Sequence, residues 1–264
     1  MTDPRPVGVF DSGVGGLSVL MKLEDLLPEE DFIYLGDRKN SPYGTKSHAE
    51  VGMIAEKNVD MLVGMGCKAI VIACNTATAA AVEPMRQKYP DVIIIGIEPA
   101  VKPAVDAGCR RVLVLATPRT VSEPRFSALL EARRGNSELI GVPCERLAGM
   151  IEEGDLDKNG AETYFCELLA LYMKTGSDGD PVPDFDGIVL GCTHYPFAIE
   201  GLRAAVGDGI PVFDGAEGTA RHTGSCLERA GMRETGRRGK ITFLSSDGND
   251  VFLADFYRNA RSKR

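Results

Sequence analysis

The stretch KAIVIACNTA, residues 68–77, decides the fold, because the chain repeats it as DGIVLGCTHY at residues 186–195. In both, an apolar run ends in a small residue, a cysteine follows, and a polar pair comes next. The copies lie 118 residues apart, as Cys192 lies from Cys74. At the same spacing DVIIIGIEPA (91–100) meets GIPVFDGAEG (209–218). Upstream, VGVFDSG from Val7 and VLVLATP from Val112 are again strands that end in small polar residues. These correspondences point to a duplicated unit.

Continuous apolar runs of this kind suit strands covered on both faces of a parallel sheet. Strands are expected at Val7–Phe10, Asp31–Leu35, Ala69–Ala73, Val92–Ile95, Arg111–Leu115, Leu139–Val142, Gly187–Leu190, Pro211–Phe213 and Ile241–Leu244. Helical patterns alternate with them. Ser47 and Glu50 form a capping box, and Val51, Ile54, Ala55, Val59 and Leu62 follow at helical spacing until Gly64 and Gly66. Ser122 with Pro124 opens another helix, and Pro196 suits a first turn after His194. The alternation predicts an α/β fold with parallel strands. A first domain is expected over 1–98 plus 212–264 and a second over 99–211. The Gly-, Asp- and Pro-rich stretch from Lys174 to Gly187 is expected as a surface loop inside the second.

The composition narrows the function classes. With 264 residues, 44% hydrophobic and 26% charged, the chain is an ordinary globular protein. A net charge of −8 disfavours nucleic acid or an anionic membrane as main partner. The basic tail, Arg258, Arg261, Lys263 and Arg264, is expected as a solvated end. No apolar run approaches the ~18 residues of a membrane span. The first strand starts too early to leave room for a signal peptide. Seven cysteines, odd in number and never spaced CxxC, fit neither a disulfide framework nor a zinc ribbon. A reduced cytoplasmic setting is expected.

In open α/β sheets, ligands bind at the carboxyl ends of strands. Cys74 and Cys192 stand there, each before residues that can open a helix, whose free N–H groups favour a thiolate. Two thiols acting from opposite sides can take a proton from one face of a stereocentre and deliver one to the other. Cys67, Cys109, Cys144, Cys166 and Cys226 are expected as small buried hydrophobes. Asp11-Ser-Gly-Val-Gly-Gly16 allows close approach of backbone to a ligand, but Ser18 stands where a dinucleotide fingerprint needs its third glycine. Asn40-SPYGTKS lacks the Gly-Lys-Ser/Thr of a phosphate loop; Tyr43 and Gly44 offer a phenol and a backbone N–H instead. Thr117 and Thr120 supply two hydroxyls suited to a carboxylate. His194 alone among three histidines neighbours a candidate nucleophile, whereas His48 reads as a first-turn helix residue and His222 as solvent-exposed.

Taken together, GVFDSGVGGLSVL (8–20), YLGDRKNSPYG (34–44), IVIACNTATA (70–79), GIEPAVKPA (96–104), the 116–120 loop and GIVLGCTHYP (187–196) resemble the glutamate racemases of the aspartate/glutamate racemase superfamily. The resemblance implies two pseudosymmetric parallel-sheet α/β domains with the active site in the cleft between them. It implies that Cys74 takes the α-proton of D-glutamate and Cys192 that of L-glutamate, with no cofactor and no metal. Asp11 and His194 would be polar helpers, with Glu152 of Met150-IEEG a third, Glu153 being its competitor. Ser12, Tyr43, Gly44, Asn75, Thr76, Thr117, Thr120 and Thr193 would hold the substrate's ammonium and carboxylates, together with Asp11 and His194. D-glutamate for peptidoglycan would be the product, and a homodimer the working form. Ala116 departs from the glycine more usual in that loop. Competing readings are an aspartate racemase or related isomerase, a dithiol redox protein, and a two-domain binding protein for an amino acid.

Overall fold

The computed structural model of the protein describes residues 3–154 and 157–263. Arg264, expected as part of the solvated tail, lies outside them. The chain first runs through β1 (Val7–Asp11), α1 (Leu17–Leu26), β2 (Phe32–Gly36), α2 (His48–Gly64), β3 (Ala69–Ile72), α3 (Asn75–Lys88) and β4 (Ile93–Gly96). There follow α4 (Val101–Asp106), β5 (Arg111–Ala116), α5 (Pro118–Val121), α6 (Pro124–Arg133), β6 (Glu138–Pro143), α7 (Leu147–Glu153) and α8 (Lys158–Leu169). Next come β7 (Met173–Thr175), β8 (Pro181–Pro183), β9 (Gly187–Leu190), α9 (Ile199–Val206) and β10 (Val212–Asp214). The last stretch holds α10 (Ala216–Arg229), β11 (Ile241–Ser245) and α11 (Asp250–Ser262).

Two compact units result, Met1–Glu98 with Gly215–Arg264, and Pro99–Asp214. The return to the first unit falls after β10, not before it as the sequence suggested. The reason is hydrogen bonding: β10 pairs with β9 and is a strand of the second sheet. The first sheet has the order β11-β2-β1-β3-β4 and the second β10-β9-β5-β6, with every pairing parallel. Equating β1, β2, β3 and β4 with β5, β6, β9 and β10 makes the two four-strand orders the same. The repeat seen in the sequence is therefore a repeat of topology, to which the first unit adds β11 as an edge.

All nine expected strands form, within a residue or so at each end. The central β1, β3 and β9 are buried at every position, as strands with helices on both faces must be. The Lys174–Gly187 loop is corrected: β7 and β8 form an antiparallel hairpin inside it. Each strand has only three residues, and prolines at 181 and 183 occupy positions that donate no backbone hydrogen bond, so the composition reads as a loop. Helix α2 starts on the expected capping box, with Ser47 and Glu50 each satisfying the other's backbone. Helix α6 does not start on Ser122. That hydroxyl donates to the Arg119 carbonyl and ends α5, while Glu123 precedes Pro124 as the cap residue.

Two further expectations change. Cys67, Cys109 and Cys144 are buried, but Cys166 is exposed on α8 and Cys226 half-exposed on α10. In the tail, Arg261 is no free solvated end: its guanidinium pairs with Asp25 of α1, and Arg258 pairs with Asp255. At the base of β3, Lys68 forms a fully buried ion pair with Glu30 at 2.6 Å and donates to the carbonyls of Asp3 and Met232. No described helix is long and apolar enough to cross a membrane.

Candidate functional site

The expected residues gather at the carboxyl ends of the strands in each unit. In the first, Ala73 N–H donates to the Phe10 carbonyl (2.7 Å), which sets the end of β3 beside the end of β1. Cys74 follows as the cap residue of α3, in extended backbone, with Asn75 already helical. It therefore stands at the N-terminus of a 14-residue helix, where the positive end of the dipole favours negative charge. The Cys74 Sγ donates to Ser12 Oγ at 3.7 Å. Asp11, the last residue of β1, is wholly buried and accepts from Gly13 N–H at 3.0 Å. Asn75 and Thr76 are buried beside the cysteine, and the Asn75 Oδ1 has no hydrogen-bond partner. A buried acceptor left open in this way is costly unless a ligand donor meets it.

The Tyr43 phenol donates to Asp37 Oδ2, and the Asn58 amide bridges Asp37 and Tyr43 at 3.1 and 3.3 Å. Burial, and then the Asp37 charge, push the Tyr43 hydroxyl far above its ordinary range, so it stays protonated. Asp37 was missed by sequence reasoning, although as the first polar residue after β2 it obeys the strand-end rule.

In the second unit, Gly191 N–H donates to the Leu115 carbonyl (2.7 Å), the counterpart of the Ala73–Phe10 bond. The cysteine after it is built differently. Cys192 is not itself the cap residue; as expected, the helical stretch opens after His194 with Pro196 in its first turn, here a single 3-10 turn, Tyr195–Ala198, which leads into α9. Its thiol instead lies 3.7 Å from His194 Nδ1, and His194 Nε2 lies 3.0 Å from Glu152 Oε2. Glu152 and His194 are both buried, whereas Glu153 is exposed, so the geometry selects Glu152. A carboxylate holding the Nε2 proton leaves Nδ1 to receive the thiol proton, and the resulting imidazolium would be stabilised from both sides.

Thr117 and Thr120 are buried, but their hydroxyls serve each other first. Thr117 caps α5 by accepting from Thr120 N–H (3.2 Å) and donates to Thr120 Oγ1 (3.0 Å). Thr193 is buried between Cys192 and His194 in sequence. Burial pushes the thiol of Cys144 up to about 12 and that of Cys67 up to about 11, so these bystanders remain protonated at neutral pH. All seven cysteines are free thiols. Among the described residues no group of three or more His, Cys, Asp or Glu could hold a metal ion.

The profile of the Asp/Glu/Hydantoin racemase family matches residues 9–223, which include every strand-end loop just described. The chain belongs to this family. Among its relatives is the glutamate racemase of Clostridium novyi, 44% identical over 251 residues, or 94% of each chain. The solved structure of Francisella tularensis glutamate racemase in complex with D-glutamate aligns with a TM-score of 0.80 at 29% identity, covering 97% of this chain and 94% of that one. A glutamate racemase isoform from Bacillus anthracis aligns with a TM-score of 0.83 at 27% identity, over the same shares. In this racemase family member each unit carries one candidate cluster, Cys74 with its partners in the first and Cys192 with its partners in the second.

Proposed function

We propose that the protein interconverts L- and D-glutamate by direct proton transfer at Cα, using Cys74 and Cys192 and no cofactor. The observation that carries this reading is one buried, free cysteine at the same strand end of each duplicated unit. The substrate follows from the glutamate racemases to which the chain is similar.

In the D-to-L direction, the Cys74 thiolate takes the Cα proton. The C–H bond breaks, an S–H bond forms, and the electron pair remains on the carbon and its carboxylate. Cys192 then gives its thiol proton to the opposite face, leaving the two sulfurs with exchanged protonation states. The L-to-D direction runs the same steps backwards. Asp11 assists at Cys74, and the Glu152–His194 pair holds or supplies the proton at Cys192. Ser12, the backbone of Tyr43 and Gly44, Asn75, Thr76, Thr117, Thr120 and Thr193 hold the substrate's charged groups, with Asn75 Oδ1 suited to the ammonium. Exclusion of water around the developing carbanion strengthens each of these interactions. Work in the cytoplasm as a homodimer, supplying D-glutamate for peptidoglycan, completes the reading.

The test is incubation with L-glutamate in D₂O without added cofactor, following the Cα proton signal and the optical rotation. Exchange with loss of rotation is expected for glutamate and not for aspartate. A chain that binds glutamate but leaves its Cα proton in place would overturn the enzyme reading.

A further inference from the structure

Tyr34 lies on β2 with no exposed surface, at a position where core packing alone asks only for an aromatic ring. Its ring packs against Phe243 of β11. A hydroxyl buried this deeply needs a partner, and it finds one outside the core: it donates to the Gly13 carbonyl at 2.5 Å. The N–H of the same residue donates to Asp11 Oδ1. Gly13 is therefore held from both sides, by Tyr34 on its carbonyl and by the Asp11 carboxylate on its N–H.

The neighbouring glycines show how closely the three residues meet. A Cβ at Gly16 would lie 2.5 Å from Asp11 Cβ and 3.0 Å from the Tyr34 hydroxyl, and one at Gly36 would lie 3.0 Å from the Gly13 carbonyl. Only residues without a side chain leave room for this arrangement. The second unit supplies an internal control. In the register of the sheets Tyr34 pairs with Val9 and Gly36 with Asp11; in the second sheet Gly141 pairs with Val114 and Pro143 with Ala116. The counterparts of Tyr34 and Asp11 are thus Gly141 and Ala116. Where the carboxylate is missing, the hydroxyl is missing too.

We infer that Tyr34 is a positioning residue for Asp11, acting through Gly13 to aim the Asp11 carboxylate beside Cys74. The inference rests on the racemase reading above.

The experiment is the pH dependence of kcat/KM in Tyr34→Phe, a change of one oxygen atom, with Tyr257→Phe as control. The Tyr257 hydroxyl belongs to the same aromatic cluster but donates to Glu24 of α1. Loss of the Tyr34 bond loosens Gly13, weakens its donation to the carboxylate and makes that carboxylate easier to protonate. The acid limb of the Tyr34→Phe profile is expected to move up by about half a pH unit or more, because a hydrogen bond to the charged form is weakened. Activity at neutral pH is expected to fall about 5- to 10-fold, the scale of one hydrogen bond. The other titratable groups around this loop, Cys74, Tyr43 and Asp37, stay in place in both variants. In an Asp11→Asn background the further loss from Tyr34→Phe is expected to disappear, since its route is gone.

An unmoved acid limb, or the same fold-loss with and without the Asp11 carboxylate, would overturn the inference. A fall in thermal midpoint with an unchanged profile would do so too, by making the bond merely structural. If the wild-type chain fails to exchange the glutamate Cα proton, the racemase reading fails instead, so the two failures are told apart.

Discussion

The carboxyl ends of the two sheets occupy the same place in the same topology, yet they equip their cysteines by different means. Cys74 caps a long helix and meets Ser12, with Asp11 closing the neighbouring strand β1. Cys192 stands before a single 3-10 turn and meets a His194–Glu152 chain. One thiol stands at the positive end of a helix dipole beside a serine hydroxyl, the other beside a side-chain relay. Even the residue after the second strand differs: Asp37 organises Tyr43 and Asn58, whereas its counterpart Cys144 is a bystander thiol held protonated by burial. Duplication keeps the strand order, and side chains at a few matching positions supply the division of labour.

The largest expected effect tests what the two ends share. Cys74→Ser and Cys192→Ser should each cut racemisation by about 10³-fold or more, because a hydroxyl is a far weaker acid than a thiol. Circular dichroism should show an unchanged fold, and either variant retaining more than a few per cent of the rate would break the two-thiol symmetry.

The opposite ends of the same two strands give the next contrast. Lys68 before β3 makes a buried ion pair with Glu30, while Asp186, its counterpart before β9, accepts from the exposed backbone N–H groups of Arg110 and Arg111. Lys68→Met leaves the Glu30 charge buried and unpaired and should cost about 3–5 kcal/mol in a denaturant titration. Asp186→Asn should cost about 1 kcal/mol or less, the scale of a surface hydrogen bond. Equal losses would mean that the two strand bases are held alike.

The unequal helpers come third. Glu152→Gln should lower kcat/KM by about 10²-fold, as loss of a carboxylate that orients a working histidine does. Ser12→Ala, which leaves the α3 N-terminus intact, should lower it by less than about 10-fold. The two enantiomers have equal free energies in water, so each change must reduce kcat/KM equally in both directions. The asymmetry will show only in how kcat and KM divide it.

The smallest effect concerns β11, the strand that the second sheet lacks. Arg237 holds the Asp31 carboxyl below its ordinary range, aided by the Lys240 N–H, and so fastens the entry to β11 beside β2. A carboxylate lowered in the folded state stabilises the fold above its unfolded value and loses that contribution as pH falls through the folded value. Wild type should therefore exceed Asp31→Asn in thermal midpoint above about pH 4, with the gap closing at lower pH. A gap that persists in strong acid would remove Asp31 as its source.

Much of this was legible in the chain. Strands covered on both faces write continuous apolar runs, so all nine parallel strands and the repeat of Cys74 in Cys192 could be read directly. The capping box at Ser47 could be read because a cap is a contact between residues three apart. The β7–β8 hairpin could not, since its prolines carry the composition of a loop.

Sequence alone determined the α/β alternation, the duplication, the two strand-end cysteines and the family to which they point. These are local or periodic signals, carried by neighbours in the chain. Tertiary structure alone decided that Glu152 rather than Glu153 meets His194, 42 residues away, that the Tyr43 phenol serves Asp37, and that Tyr34 reaches Gly13 across 21 residues. Each of those choices depends on which side chain is turned inward when distant segments pack, and no spacing along the chain encodes it.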